Sequence, residues 1–245
     1  MADIVYPPVV LACKTMFRVL DLKLDIDGTE HIPAEGGAVI ACTHVSYLDF
    51  VFCGLGADPA GRLVRFMAKQ EVFHNAIAGP LMRGMHHISV DRGAGKASYD
   101  DAVDRLRAGE VVGVFPEATI SRSLTVKGLK TGAVRMAADA GVPLVPMAIW
   151  GTQRLWTKGR PKNLTQRHVP ISILTGAAFH PTQDDDIELL SADLRTRMQS
   201  LLDKVQADYP DKPAPGTEPW WLPVHLGGSA PTPEEAAEMD RKRPE

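Results

Sequence analysis

Cysteine is scarce in this 245-residue chain, which has only Cys13, Cys42 and Cys53. Three thiols cannot all pair within one chain. Cys42 and Cys53 also lie in apolar runs, so they read as small buried hydrophobes of a reducing cytosol, not as a disulfide framework or a metal site. No run reaches the ~18 apolar residues of a membrane span. No basic segment followed by a long apolar one opens the sequence, so a secretory leader is not expected. No internal repeat is visible. The formal net charge of -3 gives no reason to expect a nucleic-acid partner.

That small sum hides an asymmetry. Between Ala118 and Pro170 stand nine Lys/Arg and one acid, Asp139, whereas from Ile171 onward seven basic residues face fourteen acidic ones. A basic middle and an acidic end suggest a local anionic ligand or surface.

At 44% hydrophobic, the chain can bury one sizeable core. Val9/Val10, Cys13, Met16/Phe17 and Leu20 recur at helical spacing beside Lys14 and Arg18. This gives residues 1–24 the form of an amphipathic helix, suited to a membrane interface or to docking on the core. Residues 25–206 alternate strand and helix patterns. Lys23–Gly28 reads as an edge strand and turn, and Ala38–Thr43, Leu63–Ala68, His86–Val90, Val111–Phe115 and Ile171–Leu174 as further strands. Val142–Ile149 is interrupted by Pro146 and therefore expected at an edge or bulged. Helices are expected at about Ser46–Gly54, Lys96–Ala108, Lys130–Ala140 and Ile187–Gln206. The aromatic and apolar segment 69–85 could line an acyl-chain groove, touch lipid or pack as a short core helix. The pattern predicts a single α/β domain whose mostly parallel or mixed sheet is covered by helices on both faces. Residues 207–245, rich in proline and containing Trp220-Trp221, form a tail that wraps the surface or stays partly disordered.

The chemistry gathers where strands end. His44 and Asp49 lie five positions apart between two apolar runs, a spacing that suits a general base and the carboxylate that orients it. Ser46-x-x-Asp49 also fits a capping box, in which the acid closes the first helical turn. Asp91-Arg92-Gly93, Phe115–Ser123 and Leu129–Gly132 fall at other strand ends, where ligands collect in α/β sheets. The adjacent His86 and His87 would point to opposite faces of a strand and read as packing residues, not as a metal pair.

In their order these stretches resemble the glycerolphosphate and lysophosphatidate acyltransferase family, over roughly residues 30–175. His44-Val45-Ser46-Tyr47-Leu48-Asp49 matches its H-x4-D block, and Gly84 through Arg92-Gly93 its second block. Phe115-Pro116-Glu117-Ala118-Thr119 is similar to F-P-E-G-T, and Val142-Pro143-Leu144-Val145-Pro146 to the fourth block. Leu129–Ala133 resembles an intervening K-x-G-A stretch. The resemblance implies that His44 deprotonates an acceptor hydroxyl, which attacks the thioester of acyl-CoA or acyl carrier protein, with Asp49 fixing the imidazole tautomer. Arg92 and Lys130 would grip an acceptor phosphate, with Glu117 and Thr119 meeting a substrate hydroxyl. No cofactor beyond the acyl donor and no metal is implied. The acceptor would be 1-acylglycerol 3-phosphate, glycerol 3-phosphate or a glycolipid head group, and the protein a peripheral one at the inner, cytoplasmic face of a membrane.

Two departures stand out. Ala118 replaces the family's glycine, which should discourage a left-handed turn. Ile120 replaces a basic residue, and Arg122 supplies a cation two positions on. A lipid esterase is disfavoured because no G-x-S-x-G elbow exists. A non-catalytic membrane-binding module remains the third reading.

Overall fold

The computed structural model describes residues 3–91 and 95–242. The elements in order are α1 (Tyr6–Val19), β1 (Lys23–Asp27), β2 (Ala38–Cys42), α2 (Asp49–Ala57), β3 (Val64–Lys69), α3 (Gln70–His74) and α4 (Ala78–Gly84). There follow β4 (Ile88–Val90), α5 (Gly95–Arg107), β5 (Val111–Val114), α6 (Gly132–Ala140), β6 (Leu144–Trp150), β7 (Pro170–Thr175), α7 (Ile187–Asp208) and α8 (Pro233–Lys242). Among the described residues these strands form one seven-stranded sheet in the order β1-β7-β6-β2-β5-β3-β4. Only β6–β7 pairs antiparallel, so the sheet is mixed, and β1 lies at its edge as its alternation predicts.

Strand β2 is the centre of this arrangement. All five of its residues are buried, which explains why it reads as an unbroken apolar run. Val39 and Ala41 enter one hydrophobic cluster with α5, α6 and α7, whereas Ala38, Ile40 and Cys42 enter another with α1 and α2. Helices thus cover both faces.

Two expectations are revised. Pro146 lies on an inner strand, opposite Ala41 of β2. The carbonyls of Pro143 and Met147 turn toward β2, so Pro146 turns the other way, and its own carbonyl accepts from Gly176 N–H at 2.9 Å. The β6–β7 ladder begins one residue later, at Met147, so the missing proline N–H costs no ladder bond. In segment 86–90 only Ile88–Val90 is strand: His86 is left-handed (φ 58°), and buried His87 accepts Phe66 N–H on Nδ1 at 3.1 Å. Burial, with Arg65 and Arg105 nearby, pushes His87 down to about 4 and keeps it a neutral packing residue.

On α1, Phe17 is buried and stacks on Phe52, but Met16 is half-exposed. A second apolar side, comprising Leu11 and Val19, faces away from the core, and Ile4, just before the helix, is exposed as well. Finally, the stretch after α7 is anchored: Tyr209, Leu222 and Ala230 are buried in the same cluster as α7, and α8 follows them.

Candidate active site

Strands β2 and β5 run parallel with Ala41 opposite Val114, so their C-terminal ends deliver Thr43–Asp49 and Phe115–Ser123 to one edge of the sheet. The two turns are tied directly. Ser121 N–H donates to His44 O at 2.7 Å, and Lys130 N–H to Pro116 O at 2.8 Å. Parallel β6 ends at the same edge and turns at Gly151 (φ 97°), where a Cβ would sit 2.1 Å from Pro170 O. A side chain there is excluded by contact as well as by backbone angle.

His44 Nδ1 lies 3.1 Å from Asp49 Oδ2, with the imidazole stacked on Phe115 at 4.3 Å between centroids. Asp49 is completely buried, and its carboxylate is surrounded by donors. Oδ2 also accepts the N–H groups of Val45 and Ser46 at 2.7 Å each, and Oδ1 accepts the Thr152 hydroxyl at 2.6 Å. An oxygen so placed can only accept, so Nδ1 of His44 carries the proton it shares with Asp49. In the neutral ring Nε2 is then the nitrogen with the lone pair. The His44 side chain is 19% exposed, enough to meet a substrate atom while the ring is held.

Asp49 thus bonds both to Ser46 N–H and to the His44 ring, but Ser46 is not the helix N-cap, a place that Leu48 takes. The forward bond of a capping box is absent. The Ser46 hydroxyl instead donates to Trp156 O (2.6 Å) and accepts from Leu48 N–H (3.1 Å), and the helix begins at Asp49 rather than Ser46.

Glu117 does not reach toward a substrate hydroxyl. It is buried, with Oε1 accepting His44 N–H at 2.8 Å and Oε2 accepting Lys127 N–H at 3.0 Å. Burial pushes its carboxyl up to about 7, against the pull of those two amides and of the His44 and Lys127 charges. Its place is behind His44, holding the backbone of the turn. Ala118 is left-handed after all (φ 62°) and accepts the strain that glycine would avoid.

The remaining predicted residues separate. Thr119 Oγ1 accepts from Lys127 Nζ, and Arg122 Nε pairs with Asp240 at 3.1 Å. The Lys130 side chain is exposed and makes no hydrogen bond or ion pair with another described residue. Arg92 lies outside the described residues. Ser121 is fully buried, its hydroxyl given to Thr125 O at 2.6 Å, which leaves it unsuited to nucleophilic attack. Thr152, which holds Asp49, is not among the expected residues, although it follows an apolar strand much as His44 does.

A mixed α/β sheet carrying a buried-carboxylate–histidine pair at its strand ends fits the acyltransferase class. Residues 23–150 match the family model described as Acyltransferase, and the chain belongs to that family. It is 38% identical over 137 residues to a 1-acyl-sn-glycerol-3-phosphate acyltransferase of Bacillus subtilis (strain 168), covering 54% of this chain and 67% of the relative. It is 29% identical over 160 residues to a protein of the same name from Limnanthes douglasii, covering 62% of this chain and 55% of that relative. The fold is similar to the crystal structure of the 1-acyl-sn-glycerophosphate (LPA) acyltransferase, PlsC, from Thermotoga maritima. The TM-score is 0.66 at 24% identity, over 81% of this chain and 78% of that one.

Proposed function

We propose that the chain transfers a fatty acyl group from a thioester, acyl-CoA or acyl carrier protein, to the free hydroxyl of 1-acylglycerol 3-phosphate, giving phosphatidate. The carrying observation is the His44–Asp49 pair, whose Nδ1–H is committed to a fully buried carboxylate while Nε2 is left basic. Nε2 takes the hydroxyl proton as that oxygen attacks the thioester carbonyl carbon. The tetrahedral intermediate then expels the thiolate, which recovers the proton from the imidazolium, and no acyl-enzyme forms. The acceptor is favoured because the names of the B. subtilis and L. douglasii relatives specify it.

An apolar cleft supports a lipid substrate. A cavity of about 60 Å³ lies between α1, α2 and β3, lined by Val9, Val10, Phe50, Phe66 and Met85. Phe66 stacks on Phe115 at 6.2 Å, and Phe115 stacks on His44, so an aromatic row joins the cleft to the base. No described helix is long and apolar enough to cross a membrane. The outward apolar side of α1, together with exposed Ile77 and Leu81 of the 69–85 segment, suits peripheral contact with a bilayer at its inner, cytoplasmic face.

The test is a panel of acceptors (1-acylglycerol 3-phosphate, glycerol 3-phosphate and a glycolipid) offered with each acyl thioester, with product regiochemistry determined. Phosphatidate is the expected product. His44→Ala should lower turnover by ~10²-fold or more with the melting temperature unchanged, and retention of more than about a tenth would reject the base role.

A further inference from the structure

Three tryptophans each carry a cation over the ring. Arg154 Cζ lies 4.8 Å from the ring centroid of Trp221, Arg160 Cζ 5.1 Å from that of Trp220, and Lys162 Nζ 4.1 Å from that of Trp156. The stretch after β6 that supplies these cations is fastened to the candidate active site. Trp156 O accepts Tyr47 N–H at 3.1 Å and the Ser46 hydroxyl at 2.6 Å, and its ring packs on that of Tyr47 at 4.7 Å between centroids.

A cleft of about 500 Å³ opens there, lined by Arg154, Arg160, Lys162, Trp220 and Trp221. That volume is in the range of small-molecule sites. No acidic residue is among the described residues that line it. One side of the cleft is fixed. Trp221 O accepts from Gln153 Nε2 at 3.2 Å, its ring leans on Tyr209 at 5.8 Å, and Arg154 pairs with Asp211 and donates to the Tyr209 hydroxyl at 3.1 Å. The other side is charged and uncommitted. Arg160 and Lys162 are exposed, and neither side chain has a carboxylate partner or a hydrogen bond among the described residues.

Partly exposed indoles beside uncommitted cations suit a planar base that carries phosphates. The base stacks on a ring, and the phosphate oxygens meet the guanidinium and the ammonium. A concave site of this size favours such a ligand over a convex protein surface. We propose that the cleft takes the nucleotide end of acyl-CoA, a 3′-phosphorylated adenosine diphosphate. Its adenine stacks on Trp220, and its phosphates meet Arg160 and Lys162. The nucleotide and the thioester stand at opposite ends of the pantetheine arm, so one can rest here while the other reaches His44. This rests on the thioester donor proposed above and assigns CoA as its carrier.

The probe is adenosine 3′-phosphate 5′-diphosphate, the part of CoA with neither thiol nor acyl group. It is titrated into the full chain by calorimetry, with tryptophan emission recorded in parallel. Binding with a change in emission is expected. Trp220→Leu should weaken it at least about fivefold, and Trp220→Phe should keep most of it. Arg160→Met/Lys162→Met should also weaken it at least about fivefold. Both cations are exposed, so this double variant decides should Trp220→Leu fail to fold. No binding by the native chain, or equal binding by the double variant, overturns the inference. Acyl carrier protein that binds the native chain and loses affinity in the double variant, where the nucleotide does not bind at all, makes the cleft a protein-docking surface and overturns it too. The two readings fail separately. A chain that makes phosphatidate from acyl carrier protein yet binds no nucleotide loses only this inference. One that binds the nucleotide but acylates no acceptor loses only the proposed activity.

Discussion

Four donors on one buried carboxylate make Asp49 the best-determined side chain of the candidate site, and the H-x4-D spacing announces it. The spacing works because β2 and α2 are joined by so short a turn that the sixth residue must fold back over the first. Glu117 announces its position but not its role, since its partners are backbone N–H groups, which every residue type offers alike. Its protonation gives a test. With the folded value near 7 against an ordinary 4.5, the unfolded chain gives up its proton first as pH rises. The native state therefore loses stability between about pH 4.5 and 7, by about 3 kcal/mol in all, and the loss levels off above that. Urea unfolding of the native chain and Glu117→Gln at pH 5 and pH 8 should show the native chain's advantage shrinking at the higher pH. A difference independent of pH would rule out a titrating Glu117.

The elements were legible wherever a long apolar run or a helical period marks them, as in β2, β5 and α7. They were less so where partner strands decide the outcome. Pro146 implies an edge when read alone, and only the neighbour's offset explains its inner place. α1 shows the opposite limit. Helical period identified the side that packs, while the outward side, Leu11 and Val19, has apolar residues at spacings that a single-face search passes over. If that side meets lipid, Leu11→Ser/Val19→Ser should weaken flotation with anionic liposomes severalfold and leave the melting temperature within about 2 °C, because neither residue is buried. Undiminished flotation would assign membrane contact elsewhere. Deleting the whole helix would be a poorer test, since it also removes buried Tyr6 and Phe17.

Across the whole molecule, the basic middle and acidic end seen in composition proved to be partly one feature. Asp240 and Arg122 are 118 positions apart, a separation at which no local pattern reports a contact. The buried anchors Tyr209, Leu222 and Ala230 make the tail part of the main core, so the chain should unfold as one unit. Tryptophan fluorescence, from Trp150, Trp156, Trp220 and Trp221, and far-ultraviolet circular dichroism should give coincident urea transitions. Separated midpoints would make the tail an independent body.

The short path from the Ala230 anchor to Asp240 has a further consequence. A group tethered so close to its partner meets it at a fixed effective concentration, on the order of millimolar for a short linker, which dilution cannot lower. The closure of Asp240 on Arg122 is then set by the chain length between residues 230 and 240.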